Sequence, residues 1–342
     1  MRVVLVRLSA LGDIVHTWPL AEALRAALPR AHLTWVVEEP LRTLVDGHPA
    51  VGAVLTVASR RWRRNPFSTR TRLEIGSLRT RFAELQPDIA LDPQGVLKSA
   101  LVTRLSGAQR RIGLARPWRR ERLAGFAYSE TVPGAPAGRH VVTTNLELLR
   151  SLGIEPPAVH IPDGSWLLDR VLPRAPAGPW GQPYAVILPG TGGAHKVLSE
   201  ATLSSVARDV CALGLEAVVA WGPGERERAE EVASSAGAGC HLAPPTDLEE
   251  LTALIGRAAL VVGGDTGPVH LSASLSVPTL AVFLASDQRR NAPLGARVAV
   301  VSGAEVGQAT PTGSARSRPI RAVAAGEITA AVRDLLDARP AL

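Results

Sequence analysis

The chain has 342 residues, 46% of them hydrophobic, and a formal net charge of +7. That length suits two domains of ordinary size, and no apolar run reaches the 18 residues of a membrane-spanning helix. The net charge points to an anionic partner, and the first residues run directly into a strand, so no secretory signal is expected and the protein is expected in the cytoplasm.

Strand and helix signals alternate from the start. Val3–Arg7, His32–Val37, Val54–Val57, Ile89–Asp92 and Arg111–Leu114 are apolar runs of strand length. Residues 13–28 carry Ile14, Thr17/Trp18, Ala21, Leu24 and Leu28 at helical spacing, with Pro29 as the stop, and a second helix is expected over 140–152, ending at Gly153. A proline-rich stretch follows at 155–183, with one short helix over Trp166–Val171. The alternation then restarts. Strands are expected at Tyr184–Leu188, Glu216–Trp221, Leu260–Val262, Thr279–Phe283 and Val298–Val301, and helices near 198–213, 225–236, 247–256, 268–274 and 326–338. This pattern predicts two doubly wound α/β domains with parallel sheets, 1–165 and 184–342, joined by a linker at 166–183, the last helix being free to return to the first domain. Ligands of such sheets bind beyond the carboxyl ends of the strands, so two facing domains would create a cleft.

The segments behind the strands carry the chemistry. "LSALGDIVHT" (8–17) opens a helix with Asp13, a carboxylate where a phosphate loop would present none. "DPQGVLKSA" (92–100) brings Gly95 and Lys98 to a strand–turn–helix junction of the kind that takes anions. "LPGTGGAHK" (188–196) offers Thr191, Gly192 and Gly193 as backbone that a ligand can approach, with Lys196 at the rim, although the P-loop spacing is missing. "WGPGERE" (221–227) places Glu225 after a glycine turn, where it can accept from ribose hydroxyls or complement a helix dipole. "GGDTGPVH" (263–270) starts a helix with Asp265 or Thr266 as cap, Pro268 in the first turn, and His270 close behind.

The cations are almost all arginine; of 38 Lys+Arg only Lys98 and Lys196 are lysines. "RRWRR" (60–64) sits in a Pro/Ser-bearing loop and "RRER" covers 119–122. Aromatics interleaved with these cations are few, and a compact polyanion fits as well as nucleic acid. With no CxxC, HExxH or Asp-x-Asp, no metal site is expected, and Cys211 and Cys240 are expected as reduced thiols.

Taken together, "SALGDIVHT", "WVVEE", "RRWRR", "DPQGVLKSA", "RRERLA", "WGPGE", "GGDTGPVHL" and "SDQRRNAPLG" resemble glycosyltransferase family 9, the bacterial heptosyltransferases, over almost the whole chain. The resemblance implies a GT-B fold of two facing Rossmann-like domains and an inverting transfer that needs no metal or other cofactor. It implies ADP-heptose as donor, the Kdo-bearing inner core of lipid A as phosphorylated acceptor, and peripheral contact with the anionic inner membrane surface. By the same resemblance Asp13 matches the general base, and Thr191, Gly192, Lys196, Glu225, Asp265, Thr266, Gly267 and His270 match the donor site, Lys196 also assisting the leaving group. Arg60, Arg61, Arg64, Lys98 and Arg120 match the acceptor side. The run "LASDQ" (284–288) departs from the family's usual Gly-Pro-Thr-Asp-Pro, and no Trp follows Lys196. The alternatives are a family member acting on a later core sugar, or a nucleotide-sugar epimerase of similar build.

Overall fold

A computed structural model describes residues 1–158, 160–181, 183–190, 197–305, 318–319 and 322–338. The chain divides into two compact units after His160, and the described residues 322–338 belong with the second. The division falls five residues before the boundary expected from the sequence.

In the first unit the strands are β1 (Arg2–Val6), β2 (His32–Glu38), β3 (Ala53–Val57), β4 (Ile89–Asp92), β5 (Arg110–Leu114) and β6 (Glu130–Val132). Its helices are α1 (Leu11–Val15), α2 (Trp18–Ala27), α3 (Ser59–Arg64), α4 (Thr69–Leu85), α5 (Leu97–Leu105) and α6 (Val141–Leu146). All the strand pairs are parallel, in the order β3-β2-β1-β4-β5-β6. A parallel sheet covered on both faces needs apolar side chains on both, and β1 is buried from Val3 to Val6. Val4, Val6, Val36, Ala90, Leu78 and Phe82 form one of its cores. Each such aliphatic side chain contributes about 1.5–3 kcal/mol when fully removed from water.

The second unit holds α7 (Ser165–Val171), β7 (Tyr184–Leu188), α8 (Glu200–Ala212), β8 (Glu216–Val219), α9 (Arg226–Ala236) and β9 (Cys240–Leu242). They are followed by α10 (Leu248–Gly256), β10 (Leu260–Gly264), α11 (Gly267–Ser274), β11 (Thr279–Phe283), α12 (Gln288–Asn291), β12 (Val298–Ser302) and α13 (Ala325–Asp337). Its parallel sheet runs β12-β11-β10-β7-β8-β9. Counted from its own first strand, this is the strand order of the first unit. Ile187, Val219, Val262 and Val282 from the sheet pack with Leu203, Val206, Ile328 and Val332 from α8 and α13. The last helix thus packs on elements of its own unit, and Thr329 Oγ1 donates to Asp209 at 2.6 Å.

Three local expectations change. The single helix expected over 13–28 is two, because Pro19 has no N–H to give the carbonyl of Val15, four residues back. The 140–152 segment is helical only to Leu146 and continues as a 3-10 turn to Leu152, which Gly153 ends with φ of 71°. The arginine run at 60–64 is a helix, α3, rather than a loop. Among the described residues, no helix is long and apolar enough to cross a membrane.

Candidate functional site

The strand order reverses direction between β1 and β4 in the first unit and between β7 and β10 in the second. At such a point the loops leaving neighbouring strands part to opposite faces and open a crevice at the carboxyl ends. The segments singled out in the sequence leave these four strands, joined by the segment behind β8.

In the first unit, Asp13 stands in the first turn of α1. Its Oδ1 is 2.8 Å from the guanidinium of Arg7, and its Oδ2 accepts from the Ala10 N–H at 3.3 Å. Arg7 is the residue that follows β1. It is buried, donates to the carbonyl of Pro93 behind β4 at 3.0 Å, and therefore fixes Asp13 against the second strand of the crevice. The Asp13 side chain remains one-third exposed (33%). Gln94 accepts from the Leu8 N–H at 2.9 Å and so holds the same loop.

Lys98 lies beside this loop. Its ammonium donates to Ser9 Oγ at 2.5 Å and stands 3.7 Å from the buried carboxylate of Glu38. Glu38 also accepts from the N–H of Ser59 at 3.2 Å and from its hydroxyl, and so ties the first residue of α3 to the Lys98 cluster. Burial holds the Lys98 ammonium below the ordinary lysine range; Glu38 opposes this, and Arg60 and Arg63 reinforce it. Asp92, fully buried at the end of β4, shapes the turn from below by accepting from the N–H groups of Gln94 and Gly95 and from the Tyr128 hydroxyl at 2.8 Å. Burial pushes its carboxyl up, and those hydrogen bonds pull it back.

Two observations bear on the expectations for this unit. At the start of α5 the Glu121 carboxylate accepts from the Leu97 N–H at 2.7 Å. Arg61 is engaged within the unit. It is bound to Glu74 of α4 at 2.8 Å and lies 3.5 Å from Glu39, because one helical step turns it away from Arg60. Arg60, Arg64 and Arg120 are exposed and make no ion pair among the described residues.

In the second unit, Glu225 precedes α9, and its Oε2 accepts from the Gly222 N–H at 2.9 Å. The carboxylate lies over Gly190, just past β7: a methyl group there would fall 1.9 Å from Glu225 Oε1. Glycine at 190 is what lets the carboxylate reach the end of β7. Behind β10, Thr266 stands at the N-cap of α11 in extended conformation, and its side chain makes no capping hydrogen bond. Asp265 accepts from Ser286 at 2.6 Å and lies 3.5 Å from His270 Nε2. Gly267 opens the helix without a side chain. Ser286 belongs to the unusual "LASDQ" run, and Asp287 next to it caps α12 and pairs with Arg289 at 3.0 Å. Thr191, Gly192 and Lys196 lie outside the described residues.

The sequence pattern of glycosyltransferase family 9 (heptosyltransferase) matches residues 75–317. Lipopolysaccharide heptosyltransferase 1 of Pseudomonas aeruginosa is 38% identical over 286 residues, which cover 83% of this chain and 78% of that protein. The chain belongs to glycosyltransferase family 9. Among solved structures, that of Escherichia coli heptosyltransferase WaaC with ADP matches at a TM-score of 0.79 and 28% identity, covering 98% of this chain and all of that one. The same enzyme with ADP-2-deoxy-2-fluoro heptose matches at 0.76 and 29% identity, covering 98% and 99%. The fold is therefore the α/β GT-B type, and this family member is a heptosyltransferase of lipopolysaccharide core synthesis. Among the described residues no group of three or more His, Cys, Asp or Glu side chains could hold a metal ion.

Arg7, Glu38, Glu121 and Ser286 were not anticipated. Two of them share a signal with Asp92: Arg7, Glu38 and Asp92 are each a charged residue closing an apolar strand, and in a parallel sheet that position faces the ligand crevice.

Proposed function

We propose that the protein transfers L-glycero-D-manno-heptose from ADP-heptose to the Kdo of lipid A, with inversion and without a metal ion. The observation that carries this reading is the Asp13 carboxylate, held by Arg7 and the Ala10 N–H at the end of β1 and one-third exposed. A single displacement needs one base. Asp13 takes the proton of the acceptor hydroxyl as its oxygen bonds to the anomeric carbon from the side opposite the leaving group. The bond from that carbon to the diphosphate oxygen breaks, and ADP leaves with the electron pair.

The negative charge gathering on the diphosphate is met by the start of α11 at Thr266-Gly267 and by the ammonium of Lys196. Preorganised donors of this type are each worth on the order of 3 kcal/mol in the transition state. Glu225 receives the ribose hydroxyls, and Asp265 with His270 shapes the wall beside the phosphates. Lys98, Arg60, Arg64 and Arg120 receive the carboxylates and phosphates of the acceptor. An acceptor embedded in lipid requires the protein to work at the cytoplasmic face of the inner membrane, as a peripheral protein whose cations meet the anionic surface.

The test is to incubate the protein, ADP-heptose and a chelator with Kdo-lipid A or with a core that already carries heptose, and to determine product masses. A single heptose added to Kdo-lipid A alone is expected. Asp13→Asn should lower turnover by roughly 10²–10⁴-fold with donor affinity retained. Transfer only to the heptosylated core, loss of transfer with the chelator, or normal turnover by Asp13→Asn would each overturn the corresponding part.

A further inference from the structure

Four large apolar side chains of the first unit are exposed on two adjoining segments: Leu97 (39%) and Leu101 (53%) on α5, and Leu123 (70%) and Phe126 (51%) on the 3-10 turn Arg122–Ala127. The two segments pack through the fully buried methyl groups of Ala100, Ala124 and Ala127. That seam is thin, and each exposed side chain lies within three residues of one of its alanines. On α5 the buried positions are Ser99, Ala100, Val102 and Thr103, which leaves Leu97, Leu101 and Arg104 at i, i+4 and i+7 in solvent. Exposed leucines scattered singly need no explanation, but a repeated stripe on two packed segments does.

The charge around this stripe is extreme. Residues 97–126 contain eight Lys and Arg against one acidic residue, a balance of +7 that equals the net charge of the entire chain. The one acid, Glu121, already accepts from the Leu97 N–H. Arg104, Arg116, Arg120 and Arg122 are exposed. A nucleic acid or a soluble sugar phosphate would take the cations and leave the leucines in water. An anionic bilayer satisfies both, with apolar side chains below the head groups and guanidinium groups at the phosphates.

We infer that the face formed by α5 and residues 122–127 is where the protein inserts into an anionic lipid bilayer. This deepens the membrane contact proposed above and rests on it. Binding is read by sedimentation with vesicles of phosphatidylcholine containing about a third phosphatidylglycerol, and with phosphatidylcholine alone. Heptose transfer to a water-soluble acceptor lacking acyl chains is read in parallel.

The protein is expected to bind the anionic vesicles, less as salt rises. The pair Leu101→Ser and Phe126→Ser should weaken that binding by about tenfold or more while transfer to the soluble acceptor stays normal. Arg104→Gln with Arg122→Gln should remove the preference for anionic over neutral vesicles. If the serine pair does not fold, Leu123→Ser, which alters the most exposed of the four side chains, carries the test. Failure of the unaltered protein to bind anionic vesicles, or undiminished binding by the serine variants, overturns the inference and leaves the transferase reading untouched. Absence of transfer to the soluble acceptor refutes the transferase reading and leaves the vesicle result standing.

Discussion

The two units share one strand order but equip its reversal point in opposite ways. In the first, charged side chains of the chain itself occupy the loops: Arg7 holds Asp13, Glu121 closes the start of α5, and Lys98 joins Ser9 to Glu38. In the second, Gly190 follows β7 and Gly267 opens α11, which starts without a side-chain cap from Thr266. By contrast, the neighbouring helices α8 and α10 are capped by Ser199 and Asp247. A helix start whose donors are already satisfied cannot receive a diphosphate, whereas one left open can. Under the proposed reading, the same topology serves a hydroxyl in one unit and a diphosphate in the other.

If that division is right, the largest effect after loss of Asp13 itself comes from its buried partner. Arg7→Met should lower kcat by about 10²-fold, since the carboxylate loses the group that orients it, and displacement of about 1 Å is enough for such a loss. The donor KM should stay unchanged, and Arg7→Lys should restore part of kcat. Steady-state kinetics of the two variants decide it; an unaltered kcat in Arg7→Met would remove the orienting role.

The matching experiment in the second unit uses the smallest possible addition. Gly190→Ala would bring a methyl group to 1.9 Å from Glu225 Oε1, so the carboxylate must leave its place. Hydrogen bonds to a charged group contribute about 1.5–3 kcal/mol, so the donor KM should rise roughly tenfold or more, as in Glu225→Gln. The double variant should be no worse than either single one, because both remove the same contact. Additive effects would show that Gly190 acts through something other than Glu225.

The parts of this arrangement that were legible in the sequence are local. Asp13, Glu225 and the 265–270 segment each follow an apolar run directly, so strand, turn and helix start can be read in one pass. Their partners come from elsewhere. Arg7 reaches the carbonyl of Pro93, Lys98 reaches Ser9, and Ser286 reaches Asp265, all across neighbouring strands of a sheet whose order no local pattern reveals. Arg61 shows the converse case, a partner that the sequence did not announce. In an extended loop five adjacent residues can face one ligand together, but α3 turns each by a fraction of a circle, and the next helix, α4, supplies Glu74 to receive Arg61.

That last difference gives the smallest but cleanest contrast, within one helix. Burial alone would raise the Glu74 carboxyl, yet hydrogen bonds from Arg61, Trp62 and Arg70 outweigh it and hold it at about 2, below the ordinary 4.5. A carboxyl with a depressed folded value stabilises the fold fully above its unfolded value, and the contribution is lost as pH falls toward the folded one. The Tm should therefore decline between pH 4.5 and about 2, and Glu74→Gln should flatten that part of the curve. At neutral pH the same variant should cost no more than about 1 kcal/mol, since the cations involved are well solvated. Arg61→Ala should behave alike, lowering Tm slightly and leaving the acceptor KM in place. Arg60→Ala with Arg64→Ala should do the reverse, raising the acceptor KM with Tm and donor KM unmoved. Should Arg61→Ala raise the acceptor KM as strongly as that pair, with no change in acid stability, the ion pair with Glu74 would not be its role in solution, and all the arginines of α3 would face the acceptor together.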